Sequence, residues 1–194
     1  MRGSIIIVSF FIVGVFVGVL NLIPVEIAES NLSYYALCAL MFFVGLGVGS
    51  DSKTLKSFRK LNLRLILLPF VTIIGTLIGV ALISFVLPER SVTDCLAVGS
   101  GFGYYSLSSI FITEYKGAVL GTIALLSNII REIITLLLAP LLAKYFGKLA
   151  PISAGGATTM DTTLPIITKF SGKAFVIVSI YHGFVVDLSV PFLV

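Results

Sequence analysis

Gly99-Ser100-Gly101-Phe102-Gly103-Tyr104-Tyr105-Ser106 interrupts one apolar run of this chain. A second run is interrupted by Ser153-Ala154-Gly155-Gly156-Ala157-Thr158-Thr159-Met160-Asp161-Thr162-Thr163-Leu164-Pro165. The first stretch places three glycines within five residues, and each costs a helix roughly 1 kcal/mol relative to alanine. The second holds a glycine pair, four threonines, an aspartate and a proline. Neither suits a straight helix facing lipid. Non-helical backbone at membrane depth persists only where it is buried in protein or lines a wet cavity. Each stretch is therefore expected to join two short half-helices, with Gly99, Gly101, Gly103, Gly155 and Gly156 in the unwound backbone. Secondary transporters build midplane substrate sites from such breaks, since half-helix N-termini carry partial positive charge and freed carbonyls bind cations. Gly14, Gly18, Gly45, Gly49, Gly75 and Gly79 read instead as close-packing contacts between helices.

The membrane setting comes from composition. Apolar residues make up 58% of the 194 residues and charged residues 11%, against about 25% charged in an ordinary soluble domain. Mean hydropathy is +1.14. Seven apolar segments can be drawn: Ile5–Ile23, Leu32–Gly49, Leu63–Leu87, Val92–Thr113, Gly117–Tyr145, Ile152–Thr168 and Lys173–Val194. Most are close to the roughly 20 residues that a spanning helix needs. The expected architecture is an all-α polytopic transmembrane bundle of about seven segments. Two of these, Val92–Thr113 and Ile152–Thr168, are discontinuous, and residues 1–194 form one transporter domain. The first segment is followed by Pro24-Val25-Glu26 rather than a small-residue cleavage site, and it reads as a true span.

Direction follows from the basic residues. The loop between Ser50 and Arg64 carries Lys53, Lys56, Arg59, Lys60 and Arg64 against Asp51, and Lys and Arg collect on the cytoplasmic side. If all seven segments cross, nine basic residues lie inside. These are the five above with Arg2, Lys116, Lys169 and Lys173. Arg90, Lys144 and Lys148 lie outside, and Arg131 lies within a helix. The N-terminus is then cytoplasmic and the C-terminus outside. If the two broken segments are re-entrant hairpins, the crossings fall to five and Lys144 and Lys148 move inside. Either way the net charge of +4 reflects topology rather than nucleic-acid binding.

Ionisable residues inside apolar helices are costly and mark function. Arg131 and Glu132 sit in the middle of the fifth segment, and Asn128, Glu132 and Thr135 fall on one helix face. Two readings stand for Arg131 and Glu132: a clasp that holds helices together, and a site that handles substrate or protons. Asp161, flanked by Thr159 and Thr162, either contacts a cationic substrate or caps the half-helix running toward Leu164. Glu114 closes the fourth segment beside Lys116. His182 shares a face with Ser179 and Ser189 and is either a hydrogen-bonded packing residue or a proton relay. Asp187, five residues after His182, is poorly placed for that face. Cys38 and Cys95 read as packing residues. The chain carries no Walker pattern, no HExxH and no ordered Ser/His/Asp set, so neither enzyme chemistry, a metal site nor a cofactor is expected.

Four stretches together carry a likeness: Gly99–Ser108 with Thr113-Glu114, Ile130-Arg131-Glu132, Gly156–Pro165, and His182-Gly183-Phe184. In order and spacing they resemble the LysO-type lysine exporter family over most of the chain. The resemblance implies a multi-pass protein of the bacterial inner membrane that exports L-lysine, and analogues such as thialysine, by proton antiport. It places Glu114, Arg131, Glu132, Asp161 and His182 on family motif positions. It also implies about three further helices ahead of the stretch matched here. Those would come from a second copy in a homodimer or from a separate small membrane subunit. A subunit of a split exporter and a channel are the alternative functions. Asn128 stands where some members carry Asp, and Asn cannot ionise. Asp187 takes no role from the resemblance.

Overall fold

The computed structural model describes residues 62–87 and 89–194, together with positions 13, 14, 16–20, 22 and 35. The first two expected segments therefore lie largely outside the described residues. The chain divides into two compact units, Met1–Val48 and Gly49–Val194, and the second contains every element below.

Among its described residues all of the regular structure is helical. A short α1 (Leu63–Ile66) leads into α2 (Leu68–Ser84). Then come α3 (Val92–Gly99), α4 (Tyr105–Lys116) and the 28-residue α5 (Ala118–Tyr145). The chain continues through α6 (Ala150–Gly155), a 3-10 turn over Gly156–Met160, and α7 (Leu164–Ser171). It ends with α8 (Val176–Leu193). Among the described residues, three stretches are long and apolar enough to cross a bilayer: Leu63–Ser84, Ala118–Tyr145 and Lys173–Leu193.

The helices are polarised as lipid solvation demands. On α5 the buried face carries Gly121, Ala124, Asn128, Glu132, Thr135 and Ala139, while Val119, Ile130, Ile134 and Leu137 are exposed. On α2 the large side chains Val71, Ile74, Ile78 and Leu82 are all exposed. Small and polar residues line the inside because helices in lipid associate by close packing and hydrogen bonds, not by hiding apolar surface.

The two broken segments are present as expected, and both turn back on themselves. Lys116 Nζ at the end of α4 pairs with Asp94 Oδ1 in the first turn of α3 at 3.2 Å. The two ends of the fourth segment are therefore side by side. At the second break, Lys148 Nζ before α6 donates to the carbonyl of Phe170 near the end of α7 at 2.8 Å. Of the two topologies open from sequence, the described residues carry the one with two re-entrant hairpins.

The hairpins enter from opposite ends. The base of the first joins the N-terminus of α5, and the base of the second follows the C-terminus of α5. A 28-residue helix is about 42 Å long, so these bases are far apart. Two apolar clusters mark the two levels. Ile112, Leu120 and Ala124 pack with Ala97, Val98 and Val194 at one. Leu68, Ile152, Ile167 and Val178 pack with Leu65 and Leu149 at the other.

Of the glycines expected to pack helices together, Gly45 and Gly49 lie outside the described residues. Nothing among the described residues lies within 4 Å of a Cβ placed at Gly14, Gly18, Gly75 or Gly79. Close approach occurs instead at Gly121, against Thr113 of α4, and at Gly183, where a Cβ would lie 2.7 Å from the Met160 nitrogen.

Candidate functional site

The two hairpin tips meet. The Ala157 N–H of the second donates to the Phe102 carbonyl of the first at 2.9 Å. Phe102 is fully buried with φ +44°, a backbone state that bulky residues rarely occupy. Glycine is required on both sides of this contact. Gly156 has φ +62°, and a Cβ there would run into the Phe102 carbonyl. Gly103 has φ +96°, and a Cβ there would lie 3.1 Å from the Gly155 carbonyl oxygen.

Helix α5 pins both tips. Asn128 is 3% exposed. Its Oδ1 accepts from the Gly103 N–H at 2.7 Å, and its Nδ2 donates to the Ala124 carbonyl at 2.9 Å and, more weakly, to that of Val98 at 3.4 Å. One turn on, Arg131 holds the other hairpin. Nε donates to the Ala154 carbonyl at 2.9 Å and Nη2 to the Ser153 carbonyl at 3.1 Å. These carbonyls end α6, so the guanidinium sits at the negative pole of that half-helix. Among the described residues the ion pair is Lys116–Asp94. The expected Arg131–carboxylate clasp is replaced by a charge-to-carbonyl clasp, and Asn128 acts as a cap rather than a proton carrier.

With Arg131 occupied, the acids stand apart from it. Glu132 is 5% exposed. Thr162 and Asp161 lie within electrostatic range of it. Asp161 is exposed on the turn between the 3-10 segment and α7. Its carboxylate accepts from the Thr162 N–H, and its carbonyl accepts from the Leu164 N–H at 3.3 Å. The N-cap of α7 is Thr163, with no side-chain hydrogen bond, so Asp161 is not the cap. The Thr162 hydroxyl is buried without a hydrogen-bond partner of good geometry.

Two tyrosines at the start of α4 close the ring. Tyr105 lies within electrostatic range of Glu132 and Asp161, and Tyr104 within range of Asp161 and Asp187. Asp187 itself is 4% exposed and lies within electrostatic range of Asp161. The sequence reading passed over it because the α8 face was anchored on His182. The buried stripe of α8 runs through Ser179, His182, Gly183, Val186, Asp187 and Val190. It is wide enough to hold His182 at one edge and Asp187 at the other. The signal that would have found Asp187 is an acid placed four residues after a glycine in a spanning helix, i and i+4 sharing a face.

His182 is fully buried and braces the second tip. Nε2 lies 3.0 Å from Thr72 Oγ1 on α2, and Nδ1 lies 3.3 Å from Thr159 Oγ1. Thr159 also approaches the carbonyls of Gly156 and Ser179 at 2.8 and 2.9 Å. Its single hydrogen goes to one of these, so its lone pair is free to accept from Nδ1–H of a neutral imidazole. Glu114 is exposed in the last turn of α4, near the hairpin base. The structure therefore brings together Asn128, Arg131, Glu132, Thr159, Asp161, Thr162 and His182 around the two tips, and leaves Glu114 outside them. Among the described residues no His/Cys/Asp/Glu group is arranged to hold a metal ion.

A cavity of about 310 Å³ opens beside the first hairpin. It runs between α2, α3 and α5, from Arg90 and Asp94 down to Asn128 and Arg131.

Residues 8–194 match the family model described as "Lysine exporter LysO". The chain is 38% identical over 162 residues to a protein named "Lysine exporter LysO" from Escherichia coli K12, covering 84% of this chain and 53% of that one. It is likewise 38% identical over 164 residues to a "Putative lysine exporter" from Haemophilus influenzae, covering 84% of this chain and 82% of the relative. This chain thus spans about half the length of the first relative. No solved structure gives a significant match. A helical membrane bundle with two opposed hairpins, matched over nearly its whole length, belongs to the lysine exporter LysO family.

Proposed function

We propose that this chain is a secondary transporter that exports L-lysine across the bacterial inner membrane by proton antiport. The observation that carries this reading is the gathering of Glu132 and Asp161 beside two unwound hairpin tips within an apolar bundle. A carboxylate at membrane depth costs at least about 2.5 kcal/mol by insertion scales, and a cationic ligand offsets that cost. Lysine carries two ammonium groups and one carboxylate. Glu132 and Asp161 bind ammonium through charge-assisted hydrogen bonds. The α-carboxylate goes to the first turn of α4, which has no side-chain cap and presents a positive helix end. Arg131 does not take that part, since it already holds two carbonyls.

Coupling follows from competition. Each carboxylate holds either a proton or an ammonium, so a proton must leave before lysine binds and must return before the emptied site resets. Protons move inward as lysine moves outward. With the Lys-rich loop cytoplasmic and both hairpins re-entrant, ten basic residues lie inside and only Arg90 and Lys116 outside, a stronger bias than seven crossings give.

The test is lysine efflux from loaded proteoliposomes under an imposed pH gradient. Wild type is expected to export lysine only with the gradient present, and Glu132→Gln and Asp161→Asn each to abolish that dependence. Gradient-driven efflux that survives in both variants refutes the assignment. Flux that does not saturate and ignores the gradient identifies a channel.

A further inference from the structure

We infer that Thr76, Ser127 and Arg131 form a binding site for a small free anion of the halide class, held between helices α2 and α5 at the middle of α5. The site stands apart from the transport reading above and does not depend on it.

Two cavities meet at these residues. The first is the cavity of about 310 Å³ beside the first hairpin. The second, of about 610 Å³, lies between α2 and α5 and reaches Ser153 and Ala154 at the end of α6. The residues that line both are Thr76, Ser127 and Arg131. Ser127 and Arg131 are four apart on α5 and share one face, and Thr76 reaches the same space from α2. The three form a neck with room for a guest on either side.

The polar atoms of this neck are not used up by the protein. Hydroxyls inside helices can return to the carbonyl four residues back, and Ser108, Thr122, Thr135 and Ser179 each do so. Thr76 and Ser127 make no such bond among the described residues. Of the five N–H donors of a guanidinium, Arg131 gives one on Nε to the Ala154 carbonyl and one on Nη2 to the Ser153 carbonyl, leaving three. Charge is left over as well. A helix C-terminus presents only about half a negative charge, so the end of α6 offsets part of the guanidinium. No carboxylate pairs with Arg131 among the described residues.

Every group at the neck can donate, and the one charge there is positive, so the guest is an anion. A charge at the bilayer centre costs at least about 2.5 kcal/mol. A bound anion offsets that cost, where water only hydrogen-bonds. Glu132, the next residue on α5, lines neither cavity. Asp94 lines the first cavity but is paired with Lys116. The walls beyond the neck are largely apolar, through Val80, Ile83, Ile123 and Ile134, which disfavours a strongly hydrated multivalent ion such as phosphate. A substrate carboxylate shares the chemistry of a halide, and the experiment separates the two sources.

The experiment is chloride NMR on the full chain in detergent micelles, where exchange with a protein site broadens the chloride line. Chloride is raised at constant ionic strength against gluconate. Wild type is expected to give saturable broadening, and so is Thr122→Ala, whose hydroxyl is already bonded to the Ala118 carbonyl. Thr76→Val combined with Ser127→Ala is expected to weaken the affinity by about tenfold or more, the worth of hydrogen bonds to a charged group. Arg131→Gln is expected to abolish the broadening. If that variant fails to fold, the double variant decides, since it leaves the Arg131 clasp in place. A wild type without saturable broadening overturns the inference, and so does a double variant that binds chloride like wild type. Displacement of chloride by lysine but not by cadaverine, which lacks the carboxylate, gives the neck to the substrate and overturns the free-ion assignment. No outcome involves transport, so a chain that moves no lysine leaves the site standing.

Discussion

Asn128→Ala tests the central mechanical claim, that α5 holds the first hairpin tip in place. The substitution removes the 2.7 Å acceptor of the Gly103 N–H. That amide lies in unwound backbone at φ +96° and has no helical carbonyl to return to. An orphaned buried donor costs about 1–3 kcal/mol. The Nδ2 bond to the Ala124 carbonyl adds little, because that carbonyl keeps its place in the helix. Side-chain hydrogen bonds inside membrane proteins average about 0.6 kcal/mol and reach about 1.7, since the unfolded state in lipid also finds partners. The amide at a non-helical tip belongs near the top of that range, so we expect destabilisation of about 1.5 kcal/mol. The assay is equilibrium unfolding in mixed detergent micelles, with Ser127→Ala as the control, since Ser127 is exposed on the same helix. A change below about 0.5 kcal/mol, or an equal effect from the control, refutes the argument.

Other outcomes follow from the same geometry. In a Cys38→Ser/Cys95→Ser background, Asp94→Cys with Lys116→Cys is expected to be joined by a short bis-maleimide linker, because the two side chains meet at the hairpin base, and labelling of the two positions from opposite faces contradicts the hairpin. Lys116→Cys and Lys148→Cys are expected to react with impermeant thiol reagents from opposite faces of the membrane, and labelling from one face contradicts opposed hairpins. Gly156→Ala puts a methyl group into the Phe102 carbonyl at a left-handed φ, and it is expected to abolish monodisperse expression and transport together; a well-folded, active variant contradicts the tip contact. Arg131→Lys keeps the charge but loses the two-pronged grip on Ser153 and Ala154, so efflux is expected to fall while Glu132 and Asp161 remain in place, and wild-type efflux argues against the clasp.

The breaks were legible because glycine and proline chemistry is local. The α-helix breaks inside both stretches, over Ser100–Tyr104 and Gly156–Thr163, but the breaks are shorter than expected: Gly99 and Gly155 are the last residues of α3 and α6, not unwound backbone. The polar face of α5 was legible for the same reason, since Asn128, Glu132 and Thr135 share the helical repeat, and all three are buried. The direction of the chain after each break was not legible. Hydropathy reports whether a segment is apolar, not which way it runs; the pairing of Asp94 with Lys116 and the Lys148 bond to the Phe170 carbonyl fix the two returns. The partners of Arg131 were hidden because they are backbone carbonyls from a distant hairpin, which no side-chain pattern announces. Asp187 was misjudged because one wide helix face was measured from its edge.

The contact between Phe102 and Ala157 has an electrical consequence. Half-helices of eight and twelve residues reach only about 12 and 18 Å, so the partition between the two sides of the membrane is thinnest where the tips touch. If water follows the polar flanks of each hairpin inward, the transmembrane voltage drops across that short partition instead of across about 30 Å of hydrocarbon. A charge moved a few ångströms past the tips then crosses most of the potential, worth about 2.3 kcal/mol per 100 mV. Small displacements of this pair of tips would carry large electrical work, and an exchange of unequal charges would register as current.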